Sequence, residues 1–170
     1  CLAVRASGGL ILTMASGFYF FDPATNRYDK IIDPEADLPN NRFNDGKTDR
    51  QGRFWSGSMF EAPGKPVVRN ASLYRMDADL SVHRIVEGIG CSNGLAWSPD
   101  SRTMYYTDSH GPVVWAWDFD PATGEVENRR TFFDLSETKG IVDGSTVDAE
   151  GCYWATIPFQ GKVLRFDPAG

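Results

Sequence analysis

The chain repeats itself. Three nine-residue stretches align without a gap: NDGKTDRQG from Asn44, NGLAWSPDS from Asn93 and DGSTVDAEG from Asp143, with starts 49 and 50 residues apart. Five residues after each start stands Asp49, Ser98 or Asp148, and eight after stands Gly52, Ser101 or Gly151. Each stretch then runs into an aromatic-rich segment: RFWSGSM, RTMYYTDS or CYWATIP. Self-similarity at a fixed period constrains a fold more tightly than local propensity does. Every repeat has to be one supersecondary unit that buries its apolar face against its neighbours.

A second element recurs between these stretches, an aromatic or aliphatic alternation closing on Asp. It appears as FYFFDPATN at Phe18, LYRMDADL at Leu73, VWAWDFDPATG at Val114 and VLRFDPAG at Val163. Val, Tyr, Trp and Phe favour the strand, and Asp-Pro supplies the turn that ends it. A further short strand of mixed character follows, as in RYDKII at Arg27, SVHRIVE at Ser81 and VENRRTFFDL at Val126. Each unit of about fifty residues therefore holds four short strands and no helix, the pattern of one β-propeller blade. A β-sandwich would not explain one motif recurring three times in one register. The fold class is all-β. The 170 residues hold about three and a half such units, whereas propellers close with about four to eight blades. Residues 1–170 thus read as one partial propeller domain, an internal fragment of about three and a half blades.

Composition narrows the function. Lys and Arg number 17 against 23 Asp and Glu, a net charge of -6, so no basic footprint for nucleic acid exists. The longest apolar stretch, residues 9–21, is broken by Thr13, Ser16 and Gly17, so no membrane span is expected. The opening at Cys1 shows no signal peptide and reads as a cut. Cys1, Cys91 and Cys152 are too few and too far apart for a disulfide scaffold or a paired-cysteine zinc site, which points to a reducing, cytoplasmic setting with each Cys a small buried hydrophobe. His83 and His110 lack a second ligand at metal spacing and read as surface or packing residues. Trp55, Trp97, Trp115, Trp117 and Trp154 fall at strand positions and read as blade packing. No GxSxG elbow or phosphate-binding glycine loop occurs, which argues against serine acyl transfer and nucleotide binding.

The repeat also places chemistry. In a propeller the first strand of each blade lines the central channel, so residues in one register converge. The residues opening the motif, Asn44, Asn93 and Asp143, are all oxygen donors. Amide oxygens with a carboxylate suit a hard divalent cation such as calcium, magnesium or manganese, and with water in place zinc as well. One carboxylate neutralises such an ion poorly, so a further Asp or Glu is expected from outside the chain. Asn-Gly and Asp-Gly are equally strong hairpin signals, and that reading stands beside the first. Arg42 is either a solvated surface residue or, by strand alternation, on the side of Asn44 and able to donate to a substrate oxygen.

Taken together, RFNDGKTDRQGRFWSGSM, SNGLAWSPDSRTMYYTDS and DGSTVDAEGCYW resemble the senescence-marker-protein/gluconolactonase (regucalcin-like) family, and VWAWDFDPATGEVENRRTFFDL with VLRFDPAG is similar to its bacterial sugar-lactonase members. The resemblance covers almost the whole chain. It implies a six-bladed propeller with one divalent metal ion, calcium or zinc foremost, acting as a hydrolase on a small sugar lactone. It further implies that the metal is held by Asn93, by Asp143 and by a Glu from a segment before Cys1, with Asp143 also the general base. Arg42 and Asn44 would hold the substrate. A non-catalytic calcium-binding propeller and a metal-dependent esterase or organophosphate hydrolase are the competing readings. Two departures bear on specificity: Val142 replaces a Pro expected before Asp-Gly, which would loosen the turn presenting Asp143, and TIPFQGKV at Thr156 differs from a glycine-rich stretch. Glu61 lies one residue off a substrate-contacting Glu of the family and is left outside the site.

Overall fold

A computed structural model describes residues 1–138 and 140–170. The described residues form four antiparallel sheets, each made of strands consecutive in sequence. The first contains β1 (Leu2–Val4), β2 (Leu10–Met14), β3 (Gly17–Asp22) and β4 (Arg27–Ile32). The second contains β5 (Asn41–Thr48), β6 (Phe54–Phe60), β7 (Ala71–Met76) and β8 (Val82–Ile89). The third contains β9 (Ser92–Trp97), β10 (Thr103–Asp108), β11 (Val113–Phe119) and β12 (Val126–Asp134). The fourth contains β13 (Ser145–Val147), β14 (Tyr153–Ile157) and β15 (Lys162–Phe166). Every repeat is therefore one up-and-down sheet, as the period predicts. Among the described residues no helix is long and apolar enough to cross a membrane.

The turns explain why the two sequence elements recur. In both Asp-Pro-Ala-Thr copies the Asp carboxylate accepts the backbone N–H two residues on and the Thr hydroxyl three residues on. The distances are 2.9 and 2.7 Å at Asp22, and 2.9 and 2.8 Å at Asp120. The next residue, Asn26 or Gly124, takes a positive φ of 55° or 77°, which these two residue types accept at low cost. The nine-residue motif turns in the same way. Asp148 Oδ1 accepts from the N–H groups of Glu150 and Cys152, and Ser98 Oγ from those of Arg102 and Thr103. The ninth residue, Gly52, Ser101 or Gly151, is left-handed each time, with φ of 89°, 56° and 86°.

The chain forms two compact units, Cys1–Thr48 with Gly52–Cys91, and Asp49–Gln51 with Ser92–Gly170. In the first, Ile11, Phe18, Phe43, Phe54, Tyr74 and Met76 form a buried cluster between two sheets. Phe18 meets Phe43 edge to face, with ring centroids 5.0 Å apart. A buried carboxylate, Glu35, also sits in this unit and accepts hydrogen bonds from Ser58 Oγ (2.7 Å), Tyr74 Oη (3.0 Å) and Asn41 Nδ2 (2.9 Å). In the second unit, Val114, Ala116, Phe133, Val142, Tyr153, Ala155 and Ile157 belong to one core. First strands meet there, β13 packing on β9, while in the first unit β5 packs on β1 and β2.

Two packing expectations need correction. Trp55, Trp97 and Trp117 are buried as expected, but Trp154 is 37% exposed. Along β14 the inward positions are Tyr153, Ala155 and Ile157, so alternation turns Trp154 outward, where its indole N–H donates to Asp148 Oδ2 at 2.8 Å. Cys152 is buried, whereas Cys1 and Cys91 are half-buried, and all three are free thiols.

Candidate functional site

Neither Asn44 nor Asn93 lies in a hairpin loop. Both lie inside first strands, β5 and β9, and each strand bulges at the motif. Across β5 and β6, Phe43 pairs with Ser58 and Gly46 with Ser56, so Asn44 and Asp45 share one partner. Across β9 and β10, Asn93 pairs with Thr107 and Ala96 with Tyr105, so Gly94 and Leu95 do the same. A bulge re-aims the side chains beside it. Asp143 lies just before β13, where its N–H donates to the Thr156 carbonyl at 3.0 Å. The reversal of the chain comes five residues after each motif start, which removes the hairpin reading of Asn-Gly and Asp-Gly.

In the first unit the structure brings Arg42 and Asn44 together. Arg42 Nη1 donates to Asn44 Oδ1 at 3.3 Å and to the Phe43 carbonyl at 3.1 Å. The same guanidinium grips Glu61 with two bonds, Nε to Oε2 at 2.7 Å and Nη2 to Oε1 at 3.1 Å. This contact holds the Glu61 carboxyl below its ordinary range and raises the guanidinium above its own. Asn44 Nδ2 contacts Cys91 Sγ at 3.7 Å. Glu61, left out on sequence grounds, is thus the direct partner of Arg42. Register would have found it: Arg42 pairs with Met59, so the residue two beyond Met59 shares its face of the sheet.

In the second unit the structure assembles Asn93 and the segment leading to Asp143. Asn93 is 5% exposed, and its Nδ2 donates to Ser109 Oγ at 2.8 Å. Ser109 Oγ in turn donates to the Val142 carbonyl at 2.6 Å, an oxygen of the peptide unit joining Val142 to Asp143. A carbonyl can only accept, so Ser109 presents Asn93 with lone pairs. The amide must then point its nitrogen at Ser109 and turn Oδ1 away. Val142, expected to loosen this turn, is 2% exposed and packed into the core. Asp143 stands exposed on a backbone pinned on both sides, since Thr156 N–H and Oγ1 donate to the Gly144 carbonyl at 3.0 and 2.9 Å. An oriented amide oxygen and an accessible carboxylate are hard donors and fit part of the ligand set of a calcium-type cation.

One further group of ligand-type atoms was not foreseen. Asp148, Glu150 and Cys152 place theirs within 4.8 Å of one another. The Arg165 guanidinium already ion-pairs with both carboxylates, at 2.9 Å to Asp148, so a positive charge occupies the place a cation would take.

Successive up-and-down antiparallel sheets at a period near fifty residues define a protein built from β-propeller blades. The chain belongs to the SMP-30/Gluconolactonase/LRE-like family, which it matches over residues 1–170. Regucalcin of Xenopus laevis is 41% identical over 169 residues, 98% of this chain and 56% of that protein. The chain therefore spans about half the length of this relative. A regucalcin from Agrobacterium tumefaciens, described as a calcium-binding protein, superimposes with a TM-score of 0.91 at 30% identity, covering 99% of this chain and 56% of that one. A gluconolactonase from Xanthomonas campestris does so with a TM-score of 0.77 at 25% identity, over 99% and 58%. The Dos1 propeller, 13% identical over 99% and 44% with a TM-score of 0.64, shares the fold alone.

Proposed function

We propose that the whole protein to which this chain belongs hydrolyses a sugar lactone to its aldonic acid in a divalent-metal-dependent reaction. The observation that carries this reading is the hydrogen-bonded line from Asn93 through Ser109 to the Val142–Asp143 peptide. It links the two residues that family resemblance makes metal ligands and turns the amide oxygen of one of them away from Ser109. The sequence-similar gluconolactonase supports the reaction class, and the calcium-binding regucalcin supports the ion class. Three free thiols suit a reducing, cytoplasmic setting.

Asn93 Oδ1 and the Asp143 carboxylate would hold the ion, calcium foremost and zinc, magnesium or manganese next, together with an acidic ligand from outside the chain. When bound, such an ion polarises a carbonyl and acidifies water. Asp143 accepts the proton of the attacking water as its oxygen bonds to the lactone carbonyl carbon. It returns that proton to the ring oxygen as the carbon–oxygen ring bond breaks, leaving a hydroxyl and a carboxylic acid that releases its remaining proton to water to become the carboxylate. The family resemblance gives Arg42 and Asn44 the role of donors to lactone oxygens, and Glu61 holds the Arg42 guanidinium plane in place. A non-catalytic calcium-binding role is the second reading, favoured by the calcium-binding relative.

The test is hydrolysis of a panel of sugar lactones by the whole protein, after chelation and after return of calcium, zinc, magnesium or manganese singly. Turnover that disappears with chelator and returns with metal supports the hydrolase. Calcium binding with no turnover on any lactone moves the function to the second reading.

A further inference from the structure

We infer that Ser109 is a positioning residue of the metal site, setting which end of the Asn93 amide faces the ion. This rests on the metal-site reading above.

An amide has one end that ligates a cation and one that repels it, and the two differ little in shape. A buried Asn without a directing partner would present Nδ2 in some molecules and Oδ1 in others. Ser109 removes that freedom. Its hydroxyl has one hydrogen, and the Val142 carbonyl 2.6 Å away accepts it. Only a donor then fits against its lone pairs, and Asn93 Nδ2 fills that place at 2.8 Å.

Ser109 is itself held firmly. It is 7% exposed and follows β10 directly, in a turn closed by the bonds from His110 N–H to Asp108 Oδ1 (3.0 Å) and from Gly111 N–H to the Asp108 carbonyl (2.8 Å). The Val142 carbonyl belongs to the peptide that presents Asp143, so one hydroxyl ties the orientation of one ligand to the backbone of the other. Partners that orient metal ligands in this way typically change metal affinity about 10-fold to 100-fold when removed.

The experiment measures calcium affinity of the whole protein by competition with a chromophoric chelator, for the unsubstituted protein, Ser109→Ala, Asn93→Asp and the double variant. A carboxylate has two equivalent oxygens, so in the Asn93→Asp background there is no amide end left to choose. We expect Ser109→Ala to weaken calcium binding about 10-fold or more beside Asn93, and far less beside Asp at that position. An equal loss in both backgrounds means Ser109 acts only through general stability and overturns the proposal. If Asn93→Asp does not fold, Ser109→Ala decides alone: calcium affinity within about twofold of the unsubstituted protein, well short of the outer-shell effect, overturns it. Failure of the unsubstituted protein to bind calcium, zinc, magnesium or manganese overturns the metal-site reading itself, a different result from calcium binding that ignores Ser109.

Discussion

The phenol of Tyr153 donates its hydrogen to the carbonyl oxygen of Gly94 at 2.7 Å, bonding β14 to the bulge beside Asn93. Tyr153 is fully buried, and Gly94 takes a φ of +70°. A Cβ at Gly94 would stand 2.7 Å from Tyr153 Oη and 2.8 Å from Thr107 Cγ2. Gly94→Ala therefore combines a left-handed backbone with a steric clash and should cost about 2–4 kcal/mol. Tyr153→Phe leaves a carbonyl without this donor and should cost about 1–3 kcal/mol. Urea denaturation of both variants checks the two values. A Gly94→Ala protein as stable as the parent would show that the bulge tolerates rearrangement.

Asp143→Ala should abolish turnover and metal binding together, because one carboxylate serves as ligand and base. Calorimetric metal titration run beside lactone hydrolysis measures both. Retained hydrolysis would remove Asp143 from the site.

Arg42→Ala should act on substrate, raising KM with a smaller change in kcat. The overall loss in kcat/KM should be about 10-fold to 100-fold, the worth of a hydrogen bond to a charged group. Arg42→Lys should not restore it, since an ammonium cannot reproduce the two-bond grip on Glu61. Steady-state kinetics of the two variants separate this role from that of a solvated surface arginine, which would leave both constants unchanged.

Asp148 predicts an acid transition. Its carboxyl is lowered from 3.8 to about 2, chiefly by the Trp154 indole N–H and then by the Cys152 N–H and Arg165. The folded state therefore favours the ionised form. The resulting stability is fully present above the unfolded value near 3.8 and disappears as pH falls towards 2. Asp148→Asn should flatten the loss of stability between about pH 4 and about pH 2. Urea midpoints recorded across that window, by Trp fluorescence, give the comparison. An unchanged slope would mean that the carboxylate is as easily protonated folded as unfolded.

Phe18, fully buried and edge-on to both Phe43 and Phe54, anchors the core of the first unit. Phe18→Ala should cost about 3–5 kcal/mol, as truncation of a buried aromatic does. A loss below about 1 kcal/mol would mean that the sheets close over the cavity.

Much of this could be read along the chain because it is local. Asp22, Thr25, Asp120 and Thr123 close their turns by hydrogen bonds across two and three residues, so the motif and its geometry are one statement. Strands joined by such turns can only pair antiparallel with the next in line, and the period near fifty then makes each repeat a sheet. The outward turn of Trp154 also follows a local rule, alternation, once its register on β14 is known.

The candidate site divides along the same line. Asn44, Asn93 and Asp143 stand out in the sequence because the repeat puts them in one register. Their neighbours do not stand out: Ser109 meets Val142 across 33 residues, Tyr153 meets Gly94 across 59, and Tyr74 meets the buried Glu35 across 39. No local pattern marks Ser109 as different from any other serine in a turn. The direction of the Asn93 amide, and hence the atom it offers, is set by a hydroxyl and a carbonyl that become its neighbours only when β9, the end of β10 and the approach to β13 are packed together. Hydrogen bonding acts over about 3 Å of space, so repetition along the chain can nominate a ligand, while only folding supplies the partners that orient it.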